Sequence, residues 1–478
     1  MTSRNRWTLV AVALATFMTY LDNNIVNVAI PDIQRELGLS TAGIEWVVSS
    51  YILTFAGLLL AGGRLADAFG RRRLFIIGLA VFTASSLFAG LATGAASLIA
   101  ARALQGIGAA AVTPTTLAII SATFTDPKER NAAVGIWGGV GALALAVGPV
   151  LGGFLTQHVA WEWIFWINVP FGIATIALGA WAIQESREDV TRRLDLPGLV
   201  LSTTSLFALT WALIEGHDRG WTSAGILGGF TVAAVTALVF VIVERRIAEP
   251  MVDVSLFARR EFTGGIVALM LWAFGLFGIY FFTSLYLQGV LGFSPTKAGT
   301  AFVPMAVLMA VSAIVSDRVA ARFGAYRSTA VGMVAMGLGI ASTALLGQDA
   351  TFLSLMPSFA VIGIGGGLTI PLTATVLGVM PTSQAGVASA VFNASREVAG
   401  LLGITVIGAV LASRQGDALA AGHTPVDAYL TGYRTGLVLA GALVLAGGVA
   451  AFVALRRAHH EAQGAEPDTR RKDLVLAG

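Results

Sequence analysis

Cysteine is absent from this 478-residue chain, and charged side chains make up only 12% of it. The missing thiols exclude disulfides, zinc–thiolate sites, iron–sulfur clusters and cysteine nucleophiles. None of the five histidines pairs with another at the helical spacing of a metal site. A soluble chain carries roughly 25% charge, and a larger core cannot explain the shortfall, because surface area still grows with size. With a mean hydropathy of +0.79, much of this chain is expected to be surrounded by lipid.

Nucleotide and nucleic-acid sites are also missing. There is no GxxxxGK[ST] loop, which excludes ATP-driven work by such a loop in this chain. The segment GIGAAA at 106–111 fits a loose nucleotide pattern, but it lies inside an apolar run and follows no strand. The basic residues are scattered between apolar runs and the net charge is only +3. We therefore expect the lipid bilayer as a partner, with no nucleic acid, no nucleotide and no metal.

Long charge-free runs fill the chain, and a membrane-spanning helix needs about 20 mostly apolar residues. The runs 132–161 and 220–243 each hold one span, whereas 74–101 and 350–395 must each hold two. The sequence predicts an all-α integral membrane protein with fourteen transmembrane helices, which begin near residues 9, 44, 74, 97, 132, 163, 197, 223, 262, 298, 328, 352, 386 and 433. The first run is interpreted as an uncleaved span, because no small-residue cleavage site follows it.

The distribution of arginine predicts the orientation. An even number of spans places both termini on one side of the membrane. With the N-terminus inside, Arg71, Arg72 and Arg73 and most other basic residues fall in cytoplasmic segments, as the positive-inside rule requires. We expect a multi-pass protein of the plasma membrane with N- and C-termini in the cytoplasm.

A short internal repeat indicates two halves. The segment LADAFGRRR (65–73) follows the second predicted span, and VAARFGAYR (319–327) follows the tenth. Transporters are often built from such repeats, with the substrate site between them. We predict two six-helix pseudo-repeat bundles, at 1–185 and 261–456, with two inserted central helices at 186–260 and a disordered cytoplasmic tail at 457–478. Chance similarity between two basic loops is the alternative.

Six motifs occur in order along these spans. They are LDNNIVNVAIP (21–31), GRLADAFGRRRLF (63–75), LIAARALQGIGAA (98–110), GALALAVGPVLGG (141–153), WEWIFWINVPFG (161–172) and VFNASREVAGLLG (391–403). Together they resemble the motifs of the major facilitator superfamily, in its fourteen-helix drug:proton antiporter branch. The chain departs from those motifs at Asn24, Ala144 and Glu162, where the family often has Thr, Gly and Arg.

The resemblance implies proton-coupled efflux of small hydrophobic or cationic compounds, such as antibiotics, by alternating access. It implies a transporter rather than an enzyme, driven by the proton gradient without a cofactor. Its partners would be a small-molecule substrate and protons, and we expect a functional monomer. The resemblance assigns a gating loop and an antiporter motif to Gly63, Asp67, Gly70, Arg71 and Arg72, and to Gly148, Pro149, Gly152 and Gly153.

Asp22 interrupts the first apolar run and is followed by Asn23 and Asn27. A charge inside a membrane is costly unless it is paired or hydrated, and burial favours the neutral acid. Asp22 is therefore predicted to bind and release a proton, with substrate and proton competing for one cavity. A structural polar cluster is the alternative.

Further polar residues are candidates for coupling and binding. Arg102 lies in a run with no other charge, and the resemblance implies a role in proton coupling; a structural arginine is the alternative. Asn393 and Glu397 share a helix face at i, i+4, whereas the neighbours Arg396 and Glu397 are not expected to pair automatically. The cavity candidates are Asn23, Asn27, Gln105, Trp272 and Tyr280. Most aromatic residues of the ninth span are expected to face lipid.

Three other functions stay open on these residues alone. The first is a proton-coupled transporter of one specific metabolite rather than of many drugs. The second is an integral membrane enzyme, but no carboxylate or histidine cluster marks a membrane face. The third is a receptor, which the absence of a sizeable soluble domain disfavours.

Overall fold

Fourteen long helices make up the described part of the chain. The computed structural model describes residues 2–187, 195–378, 380 and 385–464. The helices, labelled α1 to α14, are Ser3–Leu37, Thr41–Phe69, Arg71–Gly90, Ala95–Thr123, Pro127–His158, Trp163–Ala182, Leu196–Arg219, Ala224–Glu244, Arg260–Val290, Pro295–Phe323, Ala325–Thr343, Phe352–Gly378, Ala385–Ala420 and Pro425–Gly464. Thirteen of them are long and apolar enough to cross a membrane, and α11 packs between α12 and α14. The prediction of fourteen spans is confirmed.

Caps and turns set where these helices begin and end. Asp126 accepts hydrogen bonds from the backbone N–H groups of Lys128 and Glu129 at the start of α5, and Pro127 occupies its first turn. Gly38, with φ of 62°, ends α1 in the left-handed conformation that glycine adopts most easily. The last helix continues to Gly464, so the rest of the predicted tail lies outside the described residues.

The helices form two six-helix bundles with the same internal packing. In the first bundle α1 packs on α5 and α6, and α4 packs on α2 and α3. In the second bundle α9 packs on α13 and α14, and α12 packs on α10 and α11. The bundles meet where α5 contacts α10 and where α2 contacts α13. The inserted pair, α7 and α8, packs on α2 and α13 through α7.

The two loops of the internal repeat share one backbone conformation. Gly70, between α2 and α3, has φ of 105° and ψ of 133°. Gly324, between α10 and α11, has φ of 89° and ψ of 139°. Both conformations lie at positive φ, which favours glycine in such tight turns. The sequence match therefore reflects a structural repeat.

Apolar side chains cover the outside of the bundles. Leu238 and Val235 of α8 are more than half exposed, and similar residues lie on most of the other helices. A soluble protein would rarely leave so much contiguous apolar surface in water. The structure is thus that of a multi-pass membrane protein. Helix α1 begins at the face of the bundle that carries the N-terminus, which we call the terminal face. It ends at the other membrane face of the bundle, which we call the opposite face.

Candidate functional site

A central cavity of 320 Å³ lies between the two bundles. Helices α1, α2, α5, α9, α10, α12 and α13 line it. Its polar and aromatic lining consists of Thr16, Tyr20, Asn23, Asn24, Asn27, Trp137, Trp272, Phe277, Tyr280, Arg396 and Glu397. Four of the predicted cavity candidates, Asn23, Asn27, Trp272 and Tyr280, lie in this lining. This lining combines carboxamides, aromatic surfaces and one pair of opposite charges.

A second cavity of 590 Å³ continues from the first toward the terminal face. Both are lined by Tyr20, Trp137 and Arg396. The second cavity reaches Gly63, Arg64, Asp67 and Arg71 at the end of α2 and the start of α3, and Asn393 lies on its wall. The central cavity is therefore reached from the terminal face through the second cavity.

Two helix contacts close the bundle on the opposite face. One joins the antiporter-motif region of α5 to α10. The backbones are so close that a Cβ atom added to Gly153 would lie 2.7 Å from the carbonyl carbon of Pro295. A Cβ atom added to Gly299 would likewise lie 2.7 Å from the carbonyl carbon of Pro149. Thr296 also donates to the carbonyl of Gly153, at 3.2 Å. The other contact joins α2 to α13. Such close approach requires residues without side chains.

The remaining antiporter-motif glycines pack within the first bundle. A Cβ on Gly148 would lie 2.9 Å from Cβ of Asn24, and one on Gly152 would lie 2.9 Å from Cγ1 of Ile25. Gly148, Pro149, Gly152 and Gly153 are all buried. Gly148 and Gly152 therefore allow α5 to pack closely on α1, whereas Pro149 and Gly153 lie where α5 packs on α10 of the second bundle.

Asp22 lies in a fully buried polar network inside the first bundle. Its Oδ2 is 2.5 Å from Nη1 of Arg102, and neither side chain is exposed. Its Oδ1 accepts hydrogen bonds from Nε2 of Gln105 at 2.7 Å and Nδ2 of Asn168 at 3.0 Å. Both amides also donate to Oγ of Ser86, at 2.6 and 3.1 Å. The network thus joins α1, α3, α4 and α6.

Arg102 completes this network from α4. Its guanidinium donates to the carbonyl of Val47 and to Oε1 of Gln105, at 3.3 and 2.6 Å. It also lies 4.3 Å from the ring centroid of Tyr51, at cation–π distance. Its Nη2 has no hydrogen-bond partner in the described structure. The hydrogen bonds to Val47 and Gln105 help to stabilise the ion pair, because a buried ion pair is tolerated in a low-dielectric interior only when further hydrogen bonds satisfy its polar atoms.

The network corrects two expectations from the sequence. Asp22 does not line the central cavity, because the cavity-facing side of α1 carries Tyr20, Asn23 and Asn27 instead. Gln105 does not line it either; it is fully buried and bonded to Asp22. On a helix, adjacent residues point about 100° apart, so Asp22 and Asn23 face different surroundings. Substrate in the cavity therefore cannot touch the Asp22 carboxyl group in this conformation.

Sequence reasoning missed two members of the network, Ser86 and Asn168. Asn168 stands in WINVPFG, within a motif that the sequence marks only by its resemblance. A lone Asn among aromatic and apolar residues of a membrane span is the signal that could have identified it, because buried amides need partners. Ser86 carries no comparable signal, since small hydroxyl residues are frequent in these helices.

Arg396 and Glu397 form an ion pair beside the central cavity, although their adjacency on one helix did not predict it. Glu397 Oε1 accepts from Nε and Nη2 of Arg396 at 3.0 and 2.7 Å. The long arginine side chain folds back around the helix, and its Nη2 also lies 3.4 Å from the Tyr20 hydroxyl. Glu397 is 3% exposed and its Oε2 has no partner in the described structure. The charges of this lining therefore largely neutralise each other.

The predicted gating loop lies at the mouth of the second cavity. Asp67 pairs with Arg71 at 3.0 Å and is partly exposed. The carboxylate of Glu185, which follows α6 in the chain, lies against the first turn of α3. It accepts hydrogen bonds from the backbone N–H groups of Arg72 and Arg73 at 3.1 and 3.2 Å. Glu185 is a further residue that the sequence did not indicate. In this conformation Glu185, rather than Asp67, is therefore the carboxylate at the N-terminus of α3.

The aromatic residues of α9 are mostly buried, which contradicts the expectation that they face lipid. Phe274, Phe281, Phe282 and Tyr286 are each at most 7% exposed. They pack in the second bundle; the Tyr286 ring, for example, stacks on Tyr433 with centroids 4.8 Å apart. Helix α9 occupies the interior of its bundle, between α13 and α14, so most of its surface is covered.

Known proteins share both the sequence and the fold. Residues 12–404 match the Major Facilitator Superfamily. The chain is 35% identical to the puromycin resistance protein of Streptomyces alboniger, over 94% of this chain and 91% of that protein. It is 38% identical to the cephamycin export protein of Amycolatopsis lactamdurans, over 85% of each chain. It is 36% identical to the tetracenomycin C resistance and export protein of Streptomyces glaucescens, over 86% of this chain and 76% of that protein.

Solved transporters have the same arrangement of helices. An auto-inhibited POT family peptide transporter superposes with a TM-score of 0.71 at 16% identity, covering 95% of this chain and 97% of its own. A bacterial homologue of the lysosomal transporter Spinster, in an inward-facing conformation, gives 0.67 at 17% identity, with 95% and 98% covered. Two six-helix bundles around a cavity, the motifs along them and the match over most of the length lead to one conclusion: this chain belongs to the Major Facilitator Superfamily.

Proposed function

We propose that the protein is a proton-coupled exporter of small hydrophobic or cationic compounds, antibiotics among them, that works by alternating access. The observation that supports this proposal most is that the central cavity and the buried carboxylate of Asp22 are separate sites in this conformation. A cavity with aromatic and amide lining opens to the terminal face, and a carboxylate lies in a sealed network directly behind its wall. The relatives named for antibiotic resistance and export make this cargo class the first choice.

In this proposal the terminal face is cytoplasmic and the protein acts as a monomer, as a transporter without enzymatic activity. The cavity would load substrate from the cytoplasm or the inner leaflet. Protonation of Asp22 would weaken its contact with Arg102, because the neutral acid loses the attraction of the guanidinium. Since the network ties α1, α3, α4 and α6 together, a change there would alter how these helices pack on one another and shift the balance between the conformations that open to either face. Proton and substrate would thus be coupled through α1 rather than through competition for one position.

Transport in inside-out vesicles tests the proposal. We expect an imposed proton gradient to drive uptake of a fluorescent lipophilic cation, and collapse of the gradient to abolish it. Puromycin, offered as a competitor, should reduce the uptake. If neither the dye nor puromycin moves while the protein is inserted at normal levels, efflux of this compound class is wrong, and a panel of single metabolites would test the rival function.

The Arg396–Glu397 pair gives a prediction on charge selectivity. Glu397→Gln leaves the Arg396 guanidinium without its counter-charge beside the cavity. Binding of a monovalent cationic dye should weaken by roughly 5- to 150-fold, as expected for a change of about 1–3 kcal/mol, while a neutral compound of similar size should bind within a factor of about two.

Fluorescence titration of the purified protein measures both affinities. Glu36→Gln is the matched control, because Glu36 is exposed at the far end of α1 and should leave both unchanged. Equal loss for cation and neutral compound would contradict an electrostatic role and indicate a structural one.

A further inference from the structure

Glu45, in the first turns of α2, is a buried carboxyl group that the mechanism above does not use. It is 4% exposed and lies near the opposite face of the bundle. Among the described residues it forms no hydrogen bond and no ion pair. Burying a charged carboxylate without a cation or donors is strongly unfavourable, whereas the neutral acid is tolerated. The packed interface around Glu45 therefore accommodates its protonated form.

Its carboxyl group contacts the other bundle. A Cβ on Gly408 of α13 would lie 2.6 Å from the carboxyl carbon of Glu45. One turn further along each helix, Val48 and Ile404 line the central cavity. Glu45 consequently lies where the cavity ends and where the α2–α13 contact closes the opposite face. Separation of the bundles on that face would expose this carboxyl group to water.

The charged groups on every neighbouring helix leave Glu45 without a cation. On α7, Asp218 is a further acid rather than a cation, and Glu215 accepts hydrogen bonds from Trp46 Nε1 and Arg219 Nε at 3.2 and 2.9 Å. The ring of His217, also on α7, packs on Gly416 of α13, which is eight residues along that helix from Gly408, where Glu45 lies.

In the halves of the other helices that lie nearer the opposite face, the cations around α2 are engaged elsewhere. On α13, Arg414 faces Asp417 at 3.9 Å. On α1, Arg35 pairs with Asp32, and α4 carries only Arg102, which is paired with Asp22.

We propose that Glu45 is a second proton site, which takes up one proton when the gate on the opposite face closes over it. The proposal rests on the alternating access proposed above. The O–H bond forms at the Glu45 carboxylate with a proton from water on that face, and it breaks again when the gate opens. Acidity on the outer side would then favour closure after substrate has left, which gives the cycle its direction.

The cysteine-free chain allows a direct test. Cysteines at Arg35 and Arg414, which are 76% and 59% exposed on opposite bundles, can carry spin labels. Distance distributions between the labels, recorded in nanodiscs without substrate, give the ratio of closed to open protein as a function of pH. Uptake of one proton on closure makes this ratio fall by up to about tenfold per pH unit as the pH rises.

Neutral replacements should remove this pH dependence. We expect Glu45→Gln and Glu45→Met to lower the slope by about one proton and to keep the gate closed at high pH. Glu215→Gln, a matched change of a neighbouring acid, should retain the full slope. An unchanged slope in both Glu45 variants, or a wild-type ratio that does not depend on pH, would overturn the proposal. Because no substrate is present, these results are independent of whether the vesicle assay finds drug efflux.

Discussion

Asp22→Asn should abolish gradient-driven uptake in inside-out vesicles while substrate affinity changes little. The replacement cannot release a proton, so uptake should fall by at least about tenfold, to the leak level. Affinity in the conformation that opens to the terminal face should stay within a factor of about three, because the Asp22 side chain is not part of the cavity lining. Dye uptake under an imposed gradient and equilibrium binding of the same dye measure the two effects separately.

The structure also indicates how to separate coupling from folding in this variant. Removing one partner of a buried ion pair destabilises a protein by about 3–5 kcal/mol. The double variant Asp22→Asn/Arg102→Gln removes both charges, and we expect it to recover part of the thermal stability without recovering uptake. Asp32→Asn, on the same helix but in the pair with Arg35 at the bundle surface, is the control and should transport normally. A tenfold loss of affinity in Asp22→Asn would instead support direct competition between proton and substrate.

Gly153→Ala should open the opposite face. The added Cβ would lie against the Pro295 backbone, which cannot rotate away as a side chain could. Overpacking of this kind costs about 1–3 kcal/mol, which corresponds to about a 5- to 150-fold rise in the open-to-closed ratio. Spin-label distances between positions 35 and 414 report that ratio, and uptake should fall because the protein rarely closes.

The same helix offers a matched control for this substitution. A Cβ on Gly139 would meet no atom within 4 Å, so Gly139→Ala should leave the ratio and the transport rate unchanged. Gly299→Ala, which would press on Pro149 from the other side of the contact, should reproduce the effect of Gly153→Ala. If Gly153→Ala behaves as Gly139→Ala does, the α5–α10 contact does not limit closure.

Much of the architecture follows from the sequence alone. Apolar runs of fixed length must become helices in lipid, because every backbone N–H and C=O group needs a partner within its own segment. The order of apolar and polar residues therefore suffices to predict the fourteen spans, and the match between the two loop segments suffices to predict the repeat at Gly70 and Gly324. The candidates Asn23, Asn27, Trp272 and Tyr280, chosen from the sequence, line a cavity in the structure. The resemblance of the six motifs, in their order along the chain, also indicated the family.

The direction of individual side chains depended on tertiary packing. Asp22 and Asn23 are neighbours in sequence, yet one is buried against Arg102, Gln105 and Asn168 while the other lines the cavity. Which face of α1 meets α4 and α6, and which meets the second bundle, is set by helix rotation in the packed state. Likewise, Glu45 acquires its significance only from Gly408, which is 363 positions away along the chain. The sequence determined which residues are polar inside the membrane, and packing alone decided which of them meet each other, which meet water and which meet neither.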